Sequence, residues 1–152
     1  MIFKKLETKH RIYNTSLSHG KKKTTEKILL KSVKNLQKNS KKNSKKIFLS
    51  AIKNAAPTLK MNKQKFRKRK RKIFKEIPAF VKNKETRINL ALKFIIDHSI
   101  TRTETNYFYK KLSHEILDSL YLKSLSVNTK TEIQKQVLLK KKMFIQYRWG
   151  KK

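Results

Sequence analysis

Apolar residues recur every three or four positions along most of the chain, which is the spacing of amphipathic α-helices. The clearest stripes are Ile28, Leu29, Val33 and Leu36; Ile47, Phe48, Ala51, Ile52 and Ala55; Ile88, Ala91, Leu92 and Ile95; and Phe108, Leu112, Ile116 and Leu120. Weaker patterns over 11–17 and from Ile133 to Phe144 bring the expected number of helices to about six. The pattern therefore predicts a mainly α fold, a helical bundle.

One segment departs from the helical period. Leu59 and Met61 alternate with polar residues, and Ile73, Ile77 and Ala79 share one parity further on, which is the period of a half-buried strand. The basic run KFRKRKRK, residues 65–72, lies between these two stretches. We predict a β-hairpin, a β-ribbon arm with a basic tip, inserted into the bundle over about residues 58–81. The whole chain, residues 1–152, is expected to be a single domain.

The ends of the helices carry weaker signals. Pro57 predicts the end of the third helix, because the residue before a proline avoids the α region. The run KNSKKNSKK, residues 38–46, has no apolar residue and predicts a basic loop, which is either a solvated linker or a contact with RNA. Thr24 or Thr25 is expected to cap the second helix. The pairs Thr101 with Glu104 and Thr129 with Glu132 have the spacing of capping boxes.

The charge balance of the chain indicates which kind of partner it binds. The 152 residues contain 42 Lys and Arg but only 9 Asp and Glu, a formal net charge of +33. Such a charge destabilises a compact free monomer, so we expect the chain to bind a polyanion. The candidates are nucleic acid, an anionic membrane and an acidic partner. Hydrophobic residues (37%) and aromatic residues (9%) exceed what a disordered basic tail carries, so a modest core is expected.

Residues that could carry catalysis or bind a metal are scarce. The chain has no cysteine, and its histidines, His10, His19, His98 and His114, have no metal-binding spacing. The two glycines cannot form a phosphate-binding loop, and the few acidic residues are expected to form internal ion pairs. No stretch reaches the roughly 20 apolar residues that span a bilayer. We therefore expect no enzyme activity, no cofactor, no metal site and no membrane partner.

Basic residues cluster where a nucleic acid could contact them. Lys21, Lys22 and Lys23 lie at the start of the second helix, where the helix dipole favours a phosphate. Phe66 and Phe74 flank the cations of the arm and would allow base stacking. Arg87 heads the fourth helix, and Tyr147, Arg148 and Trp149 follow the last one. This distribution fits a folded RNA better than one helix in a DNA groove, although the run in the arm also fits a nuclear-localisation patch, and Trp149 a packing role.

Several motifs occur in a recognisable order. They are Asn14, then GKKKTTEKI (20–28), AIKNAAP (51–57), Ile77 with Pro78, RINLALKFI (87–95), then Leu112, Glu115 and Asp118, and finally FIQYRW (144–149). Their order and spacing, from about Lys9 to Trp149, resemble the protein seven family of the small ribosomal subunit, of the bacterial and organellar type. The final motif is the most specific, since the family typically ends this helix Phe-Ala-His-Tyr-Arg-Trp.

The resemblance implies a helical bundle with a β-ribbon arm, acting as a structural constituent of the small ribosomal subunit. It further implies primary binding to the 3′ major domain of the rRNA, nucleation of head assembly, neighbouring head proteins, and a place near the E-site tRNA and the mRNA exit. Carried over by position, the expected rRNA contacts are Lys21, Lys22, Lys23, Lys65, Arg67, Lys68, Arg69, Lys70, Arg71, Lys72, Arg87 and Arg148.

Two departures and a codon bias refine these expectations. The family's usual turn, Arg-Arg-x-Gly-Gly, is here KFRKRKRK without glycine, so the tip should differ in shape, and Gln146 replaces the usual His. Lys, Ile, Asn, Phe and Tyr, which have AT-rich codons, far outnumber Gly, Ala, Pro and Arg. This bias favours an organellar genome and a mitochondrial ribosome, with a plastid as the alternative. The alternative function is that of a free basic regulator that binds nucleic acid.

Overall fold

The computed structural model describes residues 5–17, 20–40, 43–68 and 71–146. Its elements follow one another as α1 (Lys5–Ser16), α2 (Lys22–Asn39), α3 (Ser44–Ala55), β1 (Leu59–Lys68), β2 (Arg71–Phe80), α4 (Lys84–Thr101), α5 (Phe108–Leu120), α6 (Leu125–Leu139) and a short 3₁₀ helix (Lys141–Gln146). The predicted mainly α fold with an inserted hairpin is confirmed. The tip residues Arg69 and Lys70 lie outside the described residues, as does Arg148.

Helices α2 to α5 enclose the hydrophobic core. The buried side chains of this core are Leu29, Leu36, Ile47, Ala51, Ile52, Ala55, Ile88, Ala91, Leu92, Ile95, Leu112 and Ile116. Each comes from a stripe that the sequence pattern predicts, because a helix buries the residues that share one face. Helix α6 contributes less to burial, chiefly Val127 and Val137. The core is thus built by four helices, and α6 lies beside it.

Asn54, near the end of α3, joins three helices. Its side-chain amide donates to the carbonyls of Ser119 (3.0 Å) and Leu120 (3.2 Å) at the end of α5. Its own backbone carbonyl accepts a hydrogen bond of 2.7 Å from Nζ of Lys130 in α6, and burial lowers the pKa of that lysine. These bonds reach carbonyls in the last turns of α3 and α5, whose usual i+4 N–H donors lie beyond the helix ends. They hold α3, α5 and α6 together.

The arm is an antiparallel hairpin that pairs Leu59 with Phe80 at its base and Lys68 with Arg71 near its tip. Ile77 and Ala79 are buried as expected, but Pro78 between them is buried too, so this part of β2 does not alternate between a buried and an exposed face. The base of the arm is attached to α6, since Nε2 of Gln134 donates to the hydroxyl of Thr58 at 3.2 Å. Just beyond α6, Nζ of Lys140 lies 3.3 Å from Glu76. Hence α6 carries the arm on the bundle.

The basic loop predicted over 38–46 is wrong in extent. Helix α2 continues to Asn39, and α3 already begins at Ser44. The side chain of Asn43 accepts a hydrogen bond from the backbone N–H of Lys45 at 3.1 Å and caps α3. Lysine is a good helix former, so a helix can extend through lysines that bury nothing. The linker is therefore much shorter than the low-complexity run.

Both predicted capping boxes are wrong. Helix α4 extends through Thr101, and α5 begins only after Tyr107. Helix α6 begins after Ser124, whose hydroxyl accepts from the N–H of Val127 at 3.2 Å. Thr129 therefore lies inside α6, and its hydroxyl contacts His98 of α4 at 2.7 Å. Tertiary contacts and an earlier serine cap outweigh the local spacing signal.

An ionic cluster joins the end of α4 to α5. The guanidinium of Arg102 pairs with Glu104 (3.5 Å), with the fully buried Glu115 (3.0 Å) and with Asp118. Burial alone lowers the pKa of Arg102, but the hydrogen bond to Asp118 and the surrounding carboxylates outweigh it and raise that pKa. Oε1 of Glu115 also accepts from the N–H of Ser126 at 3.1 Å. This "Arg102 cluster" confirms that acidic residues form internal ion pairs, and it ties α6 to α5.

Helix α5 ends in a left-handed residue that is not glycine. Leu122 has a φ of +62°, and among the described residues it is the only one other than glycine with a positive φ. The N–H of Lys123 donates to the carbonyl of Asp118 at 2.9 Å, and the N–H of Leu122 approaches that of Ser119 at 3.4 Å. These two bonds form a Schellman motif, in which the left-handed position is usually glycine. Leu122 thus occupies a conformation that crowds its Cβ.

We expect Leu122→Gly to raise the free energy of unfolding of the full chain by about 1 kcal/mol, because glycine removes the left-handed strain. Leu122 is 59% exposed, so little burial is lost. Denaturant unfolding measures the change. The matched control is Leu122→Ala, which keeps a Cβ and should bring no gain. Equal stability of the two variants would contradict a strained Leu122.

We expect Glu115→Gln to lower the free energy of unfolding by about 3 kcal/mol, because the poorly exposed guanidinium of Arg102 loses its buried counter-charge. Glutamine keeps an acceptor for the N–H of Ser126, so the loss of stability measures the effect of removing the negative charge. Glu104 belongs to the same cluster but is exposed, so Glu104→Gln should cost less than about 1 kcal/mol. Similar losses in both variants would mean that burial does not set the strength of the pairing.

Candidate nucleic-acid interface

The three lysines at the start of α2 are presented to solvent by a tight turn. Gly20 has a φ of +72°, and its carbonyl accepts a hydrogen bond from the N–H of Lys22 at 2.9 Å. Nothing lies within 4 Å of a Cβ placed on Gly20, so the backbone conformation, and not crowding, favours glycine there. Lys21, Lys22 and Lys23 are all exposed directly after this turn.

The expected threonine cap of α2 is wrong. The helix begins at Lys22, and the hydroxyls of Thr24 (2.6 Å) and Thr25 (3.1 Å) donate backward to the carbonyl of Lys21. Because α2 already begins at Lys22, just after the turn at Gly20, both threonines lie inside its first turn and neither can be its N-cap. The N-cap residue is Lys21, and its ammonium group cannot accept a hydrogen bond, so its side chain does not cap the first turn. The positive end of α2 therefore meets solvent beside three lysines, an arrangement that favours an anion.

Arg87 lies in the first turn of α4, as expected from the sequence. The side chain of Asn83 caps this helix by accepting from the N–H of Glu85 at 3.1 Å. Among the described residues, Nε of Arg87 is buried and has no hydrogen-bond partner. A buried donor without a partner is costly, and a phosphate oxygen is the acceptor that a guanidinium binds best. Because solvent does not reach this Nε, the rRNA contact of Arg87 stays a prediction.

The arm presents a cation beside an aromatic ring. Lys65 pairs across the hairpin with Phe74, and Nζ of Lys65 lies 6.0 Å from the centre of that ring. Phe74 is 66% exposed, so its ring is accessible for stacking. Of the other predicted contacts on the arm, Arg67, Lys68, Arg71 and Lys72 lie in the two strands, with only their backbone described.

A group of residues at the start of α5 was missed by the sequence analysis. The rings of Tyr107 and Tyr109 lie 5.7 Å apart, Nζ of Lys110 is 5.3 Å from the Tyr107 ring, and Nζ of Lys31 is 5.8 Å from the Tyr109 ring. Tyr107 is 60% exposed. We call these four residues the tyrosine–lysine cluster. The string NYFYKK could have signalled it, but Lys31 is distant in sequence and joins only through the packing of α2 on α5.

The predicted site residues are held by different parts of the fold. The lysines of α2 belong to a helix that packs on α1, α3 and α5, whereas the arm packs on α6 and the 3₁₀ helix. The structure thus presents cations at several places and does not gather them into one pocket. Within the described residues no group of His, Asp or Glu side chains could hold a metal ion. No helix described there is long and apolar enough to cross a bilayer.

Comparison with known proteins identifies the family of the chain. Residues 3–141 match the family model described as ribosomal protein S7p/S5e, which covers most of the chain. A search of curated protein sequences found no match. The chain therefore belongs to the ribosomal protein S7p/S5e family, and it is a structural, rRNA-binding protein of the small ribosomal subunit and not an enzyme.

Proposed function

We propose that the chain is a primary binder of the 3′ major domain of small-subunit rRNA and that it nucleates assembly of the subunit head. The observation that carries this proposal is the separation of charge. Carboxylates of Glu104, Glu115 and Asp118 are drawn into the Arg102 cluster, whereas Lys21, Lys22, Lys23 and Lys65 are exposed. Phosphates would therefore meet cations that are not neutralised within the protein.

The separation of the cations supports a role in assembly. One RNA segment would bind beside the turn at Gly20, another at Arg87, and a third along the arm. Because packed helices hold these places at fixed distances from one another, binding all three would fix the relative positions of the RNA segments. A protein that does so early lowers the entropic cost of later folding steps in the RNA. In physical terms, nucleation of head assembly is this lowering of the entropic cost.

We further propose that the chain acts in a mitochondrial ribosome, close to the E-site tRNA and the mRNA exit. The excess of residues with AT-rich codons supports an organellar gene. The basic arm supports a contact with RNA in addition to the 3′ major domain. A plastid ribosome is the alternative location. Tagged chain should co-purify with mitochondrial small subunits; recovery with plastid subunits would overturn the mitochondrial assignment.

Sedimentation tests the function itself. The chain should travel with small subunits, and only high salt or ribonuclease should release it, since phosphate contacts weaken steeply with salt. Recovery of most of the protein as a free pool would favour the alternative, a free basic regulator that binds nucleic acid. The charge of +33 is compatible with either, so the distribution across the gradient decides between them.

Replacing Lys68, Arg69, Lys70 and Arg71 by Ala should weaken rRNA binding and flatten its salt dependence. If each cation contacts one phosphate, the slope of log K against log salt should fall by about 3–4. Filter binding over a salt series measures this slope. The charge-matched control replaces the exposed Lys93, Lys123, Lys135 and Lys142 instead. An unchanged slope in the arm variant would count against a role for the tip.

Tyr107→Ala should weaken rRNA binding about 5- to 100-fold without changing the salt slope, because stacking on a base is not ionic. Tyr107→Phe keeps the ring and should bind like the native chain. The same filter-binding series measures both variants. Equal losses for Ala and Phe would show that the hydroxyl, and not the ring of the tyrosine–lysine cluster, makes the contact.

A further inference from the structure

The turn between α5 and α6 exposes three large apolar side chains. Tyr121 is 63% exposed, Leu122 59% and Leu125 48%, and all three lie within five consecutive residues. We call them the apolar corner. Single exposed apolar residues are ordinary on a protein surface, but a group of them marks a place that another surface covers. The fold itself gives these side chains little to contact.

Strain at Leu122 is the second observation. Its φ of +62° is the conformation in which a leucine crowds its own Cβ, and glycine would adopt it freely. Burial within the chain does not offset this strain, because the side chain points largely into solvent. Strained residues persist where a functional contact uses them. The two hydrogen bonds of the Schellman motif hold the backbone in this conformation, but they do not require leucine, so the exposed apolar side chain is left for a contact outside this chain.

The electrostatic surroundings indicate what kind of partner this is. Asp118 (40% exposed side chain) and Glu104 (57%) belong to the Arg102 cluster, and the carbonyl of Asp118 is bonded to the turn through the N–H of Lys123. The cluster has three carboxylates and one guanidinium, so it is negative within a strongly basic protein. Even with Lys123 in the turn, exposed carboxylates repel phosphates and attract cationic side chains.

We propose that the apolar corner is the contact surface for a basic segment of a neighbouring protein in the small subunit. An apolar side chain of that segment covers Leu122, and its Lys or Arg side chains face Glu104 and Asp118. Proteins that share a subunit with rRNA are themselves rich in such cations, so the complementarity fits this class of partner. The proposal rests on the chain's place in the small ribosomal subunit.

A photo-crosslinker at the apolar corner tests it. The full chain carrying p-benzoylphenylalanine in place of Tyr121 is assembled into small subunits and irradiated. We expect a protease-sensitive, ribonuclease-resistant adduct whose partner peptide is rich in Lys or Arg. The same probe in place of Tyr107 should give an RNA adduct and serves as the control. Adducts with RNA alone, or none from intact subunits, would overturn the proposal.

The two proposals fail in different ways. A chain that does not sediment with small subunits overturns the proposed function together with this contact. A chain that sediments normally but gives no protein adduct overturns the contact alone. The position of the protein in the gradient therefore identifies which of the two proposals has failed.

A second variant separates contact from folding. Leu122→Gly should be at least as stable as the native chain, yet it should lower the yield of the protein adduct from the Tyr121 probe at least about fivefold. Leu122→Asn, which tolerates the left-handed conformation and is polar, should do the same. Native yields in both variants would show that Leu122 makes no contact with the partner, and the proposal would be wrong.

Discussion

The buried pairing of Arg102 with Glu115 is the interaction on which the arrangement of the second half of the chain depends. It joins the segment after α4 to α5, and through the N–H of Ser126 it also holds the start of α6. Helix α6 in turn carries the arm, through Gln134 and Lys140. The direction in which the arm leaves the bundle therefore depends on this ion pair, together with the hydrogen bonds that Lys130 and Thr129 of α6 make to Asn54 and His98.

The same pairing solves an electrostatic problem. A chain with a net charge of +33 has few acidic residues to offset its cations, and Arg102 draws three of them together. This leaves the exposed lysines of α2 and the arm without counter-charges from that cluster. The protein becomes more cationic where RNA would bind and less so at the apolar corner. Internal ion pairs thus shape the outer surface as much as they stabilise the interior.

The sequence predicted those elements whose pattern is set by burial. The stripe of Ile47, Ala51 and Ile52 follows from a helix face that turns to the core, so period alone identifies it. Helix ends were predicted less well, because they depend on contacts distant in sequence. Thr129 has the spacing of a cap but lies inside α6, where it contacts His98.

The predicted site shows the same limit. The exposure of Lys21, Lys22 and Lys23 follows from the turn at Gly20, which is a local feature, and the sequence was sufficient to propose it. The tyrosine–lysine cluster needs Lys31 of α2 to reach Tyr109 of α5, which only tertiary packing provides. No pattern within α2 or α5 distinguishes Lys31 from the other lysines on its helix. Local chemistry is therefore predictable here, and its combination across helices is not.

Three features disfavour the free chain. The net charge repels itself, Nε of Arg87 is buried without a partner among the described residues, and Leu122 is strained. Local rules are expected to fail where function requires it. Bound RNA would offset the first, whereas the third needs an apolar contact that phosphates cannot supply. The sequence is therefore best understood as adapted to an assembly of RNA and protein, of which this chain is only one part.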